Sequence, residues 1–161
     1  MSGKLYITPE EAKNSIGDTN FEKLYEIGVT RLINQEAVKL SIQRASAMTT
    51  AALAHNYPGD VEFQAPIPDM AKALTFAWFA VYSWPRNTDL MKQAGIRVNG
   101  KDSLEESARL LRDDLRKAVL RVIDALPQPV PTNVGGNQGA IGLSLNCSGP
   151  PRRMFDDMGD Y

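Results

Sequence analysis

The sequence predicts an all-α fold: a helical bundle around a central apolar helix at about 68–84, with an extended Pro/Gly-rich C-terminal arm. Three observations predict it. The stretch Pro68 to Trp84 is apolar on nearly every side, Leu104 to Leu126 keeps apolar residues at three- and four-residue spacing, and two Thr/Ser-x-x-Glu starts mark helix N-termini.

In the first stretch, Met70, Leu74, Ala77, Trp78, Val81 and Tyr82 make one helical stripe, while Phe76, Phe79 and Ala80 fill the opposite side. A helix apolar all round must be enclosed by other helices. Pro68 suits a first helical turn, where a missing N–H costs nothing, and Asp69 sits at the positive end of the helix dipole. Pro85 stops the helix after Trp84. The run falls short of the roughly 20 apolar residues of a membrane span and carries Asp69 and Lys72, so no membrane partner is expected.

Before it, Thr8-Pro9-Glu10-Glu11 combines a capping hydroxyl, a proline and a returning carboxylate, which starts a short helix that Gly17 ends. Asp18 or Thr19 can cap a second short segment through Phe21, Leu24 and Ile27, closed by Gly28. From Asn34 a long helix follows, with Val38, Ile42, Ala45, Met48, Ala52 and either His55 or Asn56 on one face, and small residues in its second half let the aromatic-rich helix approach closely. Tyr57-Pro58-Gly59-Asp60 breaks it, and a loop runs to Pro66-Ile67-Pro68.

After the central helix, Thr88 to Gln93 can form one helical turn, and Asn99-Gly100 is a tight-turn signal that could join Ile96 and Val98 to Lys101 onward as a hairpin. Ser103 with Glu106 reads as a second capping box. It opens an amphipathic helix on which Leu104, Ala108, Leu111, Leu115, Ala118 or Val119, Val122 and Leu126 recur. Its other faces mix signs: Arg109, Arg112, Asp113, Asp114, Arg116, Lys117, Arg121 and Asp124. Such a pattern fits a solvated, salt-bridged face, or a face that packs against another copy through Arg109, Arg112, Arg116 and Asp113.

Composition changes at Pro127, which divides a helical domain, 1–126, from an arm, 127–161. The arm is rich in Pro, Gly, Asn and Ser without helical period, so it either stays disordered or orders on a partner. Its last residues, Arg152-Arg153-Met154-Phe155 through Met158 and Tyr161, set methionines and aromatics among charges, a pattern of anchoring side chains.

The chain of 161 residues with 43% hydrophobic content supports one core, and a net charge of −1 gives no reason to expect free DNA as the main partner. One cysteine, Cys147, fits a reducing compartment, and the polar start MSGKLYITPEEAK lacks a signal peptide's apolar centre, so a cytosolic origin is expected. No cofactor or metal site is expected. His55 is the lone histidine, and the Gly135–Gly142 run lacks the Gly-Lys-Ser/Thr ending of a phosphate loop. The pairs Glu10-Glu11, Glu105-Glu106 and Asp113-Asp114 point about 100° apart on helices and cannot act together as an acid/base pair. The expectation is an interaction protein without enzymatic activity.

The layout resembles the small head-to-tail connector (adaptor, head-completion) proteins of Mu-like tailed phages and prophages. The resemblance rests on Tyr6-Ile7-Thr8-Pro9-Glu10-Glu11 at the start and Ala52-Leu53-Ala54-His55-Asn56-Tyr57 at the end of the long helix. Pro66-Ile67-Pro68 leading into the apolar helix, Arg153-Met154-Phe155 and Gly159-Asp160-Tyr161 complete it. The chain departs from the family pattern in a longer loop through Pro58 to Gln64 and in Asp156-Asp157 after the phenylalanine. The resemblance implies a structural virion protein, assembled in the bacterial host cytoplasm and found at the head-tail junction. It would form a ring, a dodecamer, beneath the portal protein, with a neck or tail-completion protein as its other partner and DNA passing through without specific binding. Arg152, Arg153, Met154, Phe155, Met158 and Tyr161 would then bind the portal, and the subunit would be monomeric until assembly orders its arm. The alternative is a small DNA-packaging or regulatory protein that binds DNA through Arg109, Arg112, Arg116, Lys117 and Arg121.

Overall fold

The computed structural model describes residues 4–97, 100 and 103–128. The chain divides into two units, Met1–Pro127 and Gln128–Tyr161, and the first is a helical bundle. Helix α1 (Pro9–Ile16) opens with the expected capping box: Glu11 N donates to Thr8 Oγ1 at 3.2 Å, and Thr8 N donates to Glu11 Oε2 at 2.8 Å. Gly17 ends it at φ +88°, a conformation that favours glycine.

Helix α2 (Asp18–Tyr25) starts differently from expectation, because Gly17 occupies the cap and Asp18 is already helical. It also ends before Ile27. Glu26–Ile27 forms strand β1, paired antiparallel with β2 (Leu32–Ile33) in the register Glu26↔Ile33 and Ile27↔Leu32. A 3-10 turn at Gly28–Thr30 and Arg31 at φ +53° join the strands. Four β-branched residues, Ile27, Val29, Thr30 and Ile33, favour this extended excursion over a further helical turn. The hairpin expected around Asn99-Gly100 turns on residues 98–99 and 101–102, which lie outside the described residues; at its flanks Arg97 and Ser103 form a parallel bridge.

Helix α3 (Gln35–Ala54) is capped by Asn34, whose side chain accepts from Ala37 N at 3.0 Å. The loop after it contains a 3-10 segment, Gly59–Phe63, pinned by buried Val61. Helix α4 (Ile67–Ser83) is the centre of the bundle and packs mainly on α3 and on α6 (Leu104–Ala125). From Met70 to Trp84 no residue is exposed, as an all-round apolar helix requires. Its deepest face differs from the expected stripe. Ala71, Leu74, Thr75, Trp78, Phe79 and Ser83 are buried, while Met70, Ala77, Val81 and Tyr82 are half-buried flanks. Phe79, placed on the opposite side by the sequence reading, belongs to the core.

Where α3 and α4 meet, small residues let the backbones approach, and the contact includes polar groups. Thr75 Oγ1 donates to Ala71 O at 2.8 Å, and Thr49 and Thr75 hydroxyls lie 2.7 Å apart in a buried setting. Thr49 Oγ1 also lies within donating distance of Ala45 O at 3.3 Å, so each hydroxyl has a partner whichever of the two donates to the other. A 3-10 turn, Trp84–Arg86, follows α4, and Asn87 caps the short α5 (Thr88–Gln93). Ser103 caps α6 by accepting from Glu106 N at 3.1 Å, but Glu106 does not return the bond, so only half of the expected capping box forms.

Candidate interaction surfaces

Helix α6 buries Ala108, Leu115, Val119 and Val122 against the bundle, and the opposite side meets solvent. On that side Leu110 and Leu120 are 58% and 46% exposed, set among charges. Arg109, Arg112 and Arg116, at i, i+3 and i+7, share one flank, as their spacing required. Arg109 Nη2 donates to Glu105 Oε1 at 2.8 Å, and Arg112 pairs with Asp113 at 3.5 Å. Asp114 instead pairs with Lys117 at 3.6 Å, so the two adjacent aspartates serve different cations. The Nε atoms of Arg112 and Arg116 are both shielded from solvent without a hydrogen-bond acceptor, and Arg116 also has no ion pair among the described residues. The four residues expected to meet a neighbouring copy, Arg109, Arg112, Arg116 and Asp113, are thus on one helix side. The six expected to bind the portal, Arg152, Arg153, Met154, Phe155, Met158 and Tyr161, lie outside the described residues.

Two further surfaces were missed by sequence reasoning. The first is the hairpin, where Val29 is fully exposed and Leu32 and Ile27 are 65% and 50% exposed. Three large aliphatic side chains on so short an element are an unusual outlay of apolar surface. The second is a groove of about 760 Å³ between the segment Lys4–Tyr6 and the C-terminal half of α3. Leu5, Ala47, Ala51, Ala54 and Tyr57 give it apolar walls, and the ion-paired Lys4 and Glu62 complete its lining. The depth comes from alanines, which the sequence reading had assigned wholly to the packing of the aromatic helix. Of the alanines at 45, 47, 51, 52 and 54, Ala45 and Ala52 do face the core, whereas Ala47, Ala51 and Ala54 face outward.

Beside the groove, Tyr6 Oη lies 3.3 Å from Thr50 Oγ1 and 3.5 Å from Glu62 Oε2. Burial pushes the Tyr6 phenol above its ordinary value, with the Thr50 hydroxyl working against the shift and Glu62 adding to it. Farther along, the Lys72 ammonium, helped by the Thr8 N–H, holds Glu11 below the ordinary carboxylate range and ties α1 to α4. His55 is the C-cap residue of α3, and no cluster of three or more metal-ligating side chains occurs among the described residues. No family model matches this chain, and no curated protein or solved structure matches it significantly.

Proposed function

We propose that this chain is a structural virion protein, a head-to-tail connector that forms a ring beneath the portal and joins the DNA-filled head to the neck or tail. The C-terminal arm, through Arg152, Arg153, Met154, Phe155, Met158 and Tyr161, anchors each copy on the portal. The α6 side with Arg109, Arg112, Asp113 and Arg116 meets the neighbouring copy.

The observation that carries this reading is the state of that helix side. Leu110 and Leu120 are 58% and 46% exposed on a side that also carries Arg109, Arg112, Asp113 and Arg116. A second chain packed on this side would cover the two leucines, and its carboxylates could pair with the exposed arginine ends. The sequence resemblance to connector proteins supplies the biological setting, and the arm's anchors supply the attachment. Each copy seated on the ring raises the effective concentration of the next contact, so weak single contacts add up to firm attachment.

The DNA-binding reading draws on the same helix and is less well supported. Arg109, Arg112 and Lys117 are each paired with an acidic neighbour, Glu105, Asp113 and Asp114, which lowers the positive field a phosphate backbone would meet. A pull-down on purified portal rings, with the full chain and with a chain ending at Pro150, tests the connector reading. The full chain is expected to bind, and the shortened one to lose binding while keeping its helical spectrum. Failure of both to bind, together with a salt-dependent shift of duplex DNA, would favour the alternative.

A further inference from the structure

The segment before α1 is attached in two different ways along its length. Its root, Ile7, is buried in the core, whereas Lys4 and Leu5 are exposed and Tyr6 is half-buried. What holds the strap Lys4–Tyr6 to the body is therefore largely polar. Tyr6 N donates to Ser46 Oγ at 3.4 Å, and the Tyr6 hydroxyl lies 3.3 Å from Thr50 Oγ1, which ties the strap to α3. Its other polar partners among the described residues sit on the 3-10 segment Gly59–Phe63. The Lys4 ammonium pairs with the Glu62 carboxylate and lies 4.2 Å from the centre of the Phe63 ring, and the Tyr6 hydroxyl donates to Glu62 Oε2 at 3.5 Å.

We propose that the strap Lys4–Tyr6 and the segment Gly59–Phe63 form a latch that opens and closes as one unit, with Ile7 and Val61 as its fixed ends. The ends are fixed because both side chains are buried and would have to leave the core to move. Between them, each piece holds the other. The Glu62 side chain is only 12% exposed, so release of Lys4 leaves a mostly covered carboxylate without its counter-charge. That carboxylate is then better placed in water, and the Phe63 ring loses the same ammonium in the same step. Groups that share partners in this way are energetically coupled.

Two consequences follow from the chemistry of the latch. Lys4 and Tyr6 form one wall of the α3 groove, so opening removes that wall and uncovers the buried Ser46 hydroxyl. The fastening is an ion pair with one well-exposed partner, so salt weakens it, and access to this side of α3 depends on ionic strength. The inference does not rest on the connector reading.

Amide hydrogen exchange of the full chain, read by NMR, reports on each half of the latch. Tyr6 N reads the strap, and Gln64 N, which donates to Val61 O at 3.0 Å, reads the segment. Met91 N, which donates to Asn87 O at 3.0 Å in α5, is the reference. Glu62→Gln is expected to lower protection at Tyr6 and Gln64 together by about tenfold and to leave Met91 unchanged. Lys4→Gln should do the same, and the double variant should add little to either change. In about 1 M salt the wild-type chain should lose protection at both amides, while Glu62→Gln should show no further loss. Lost protection at Tyr6 alone would mean that the strap frays without the segment, and would overturn the proposal. So would unchanged protection at both amides in both variants, or an equal loss at Met91, which would make the pair part of the global stability of the bundle.

Discussion

Tyr25, Ser83 and Phe79 show how single residues set the geometry at the end of the central helix. Ser83 Oγ donates to Phe79 O, and the buried Tyr25 hydroxyl lies 2.6 Å from Ser83 Oγ, so Tyr25 is the donor there. Arg86 lies over the Tyr25 ring at 4.8 Å and donates through Nε to Leu24 O at 3.2 Å, which holds α2 against the end of α4. Ser83→Ala leaves the tyrosine hydroxyl buried without an acceptor and should cost about 1–3 kcal/mol in urea unfolding. Tyr25→Phe should cost less, and the double variant should come close to Tyr25→Phe alone. Additive costs would show that the two hydroxyls act separately.

At the same scale, Glu11 links pH to stability. Its folded value is depressed by Lys72 and the Thr8 N–H, so its contribution is complete above the ordinary carboxylate value and disappears as pH falls through the lowered folded value. Glu11→Gln should therefore lower the melting temperature at neutral pH, with the gap to wild type closing in acid. A gap that persists at low pH would assign the effect to the capping geometry instead.

Among the elements, α4 was legible because its residues leave no polar face, and the starts of α1, α3 and α6 were legible because a Thr, Asn or Ser stands where a helix cap is needed. The face of α4 that lies deepest was not. When every side of a helix is apolar, the pattern alone does not single out a direction, and here the neighbours decided in favour of Phe79 and Thr75. The β1–β2 hairpin escaped because Gly28-Val29-Thr30-Arg31 lacks the Asn-Gly pair that marks such turns. The Arg flank of α6 followed from spacing, but the exposed groove did not, because alanines serve equally well in a helix contact and in a cleft. Two variants test the assignment of core and surface. Phe79→Ala should destabilise by about 3–5 kcal/mol, since a fully buried ring is removed. Leu110→Asp, on an exposed position of α6, should change stability by less than about 0.5 kcal/mol yet reduce assembly on portal rings. A large loss of stability from Leu110→Asp would mean that this side of α6 is part of the fold.

In the whole molecule a helical body precedes an arm to which the proposed connector reading gives the attachment. The body holds its core through α3, α4 and α6 and offers exposed surfaces of different kinds: the α6 side, the aliphatic hairpin tip and the α3 groove. Phe155, Met158 and Tyr161 fall within a short stretch of sequence, so on the proposed connector reading attachment depends on few side chains repeated around a ring.

The most direct test of the central claim is the native mass of purified portal rings incubated with an excess of this protein. The account predicts a discrete complex heavier by one copy of the 17.7 kDa chain for every portal subunit, and its disappearance when the chain ends at Pro150. Portal rings that keep their own mass, or that gain copies without a fixed ratio, would contradict it.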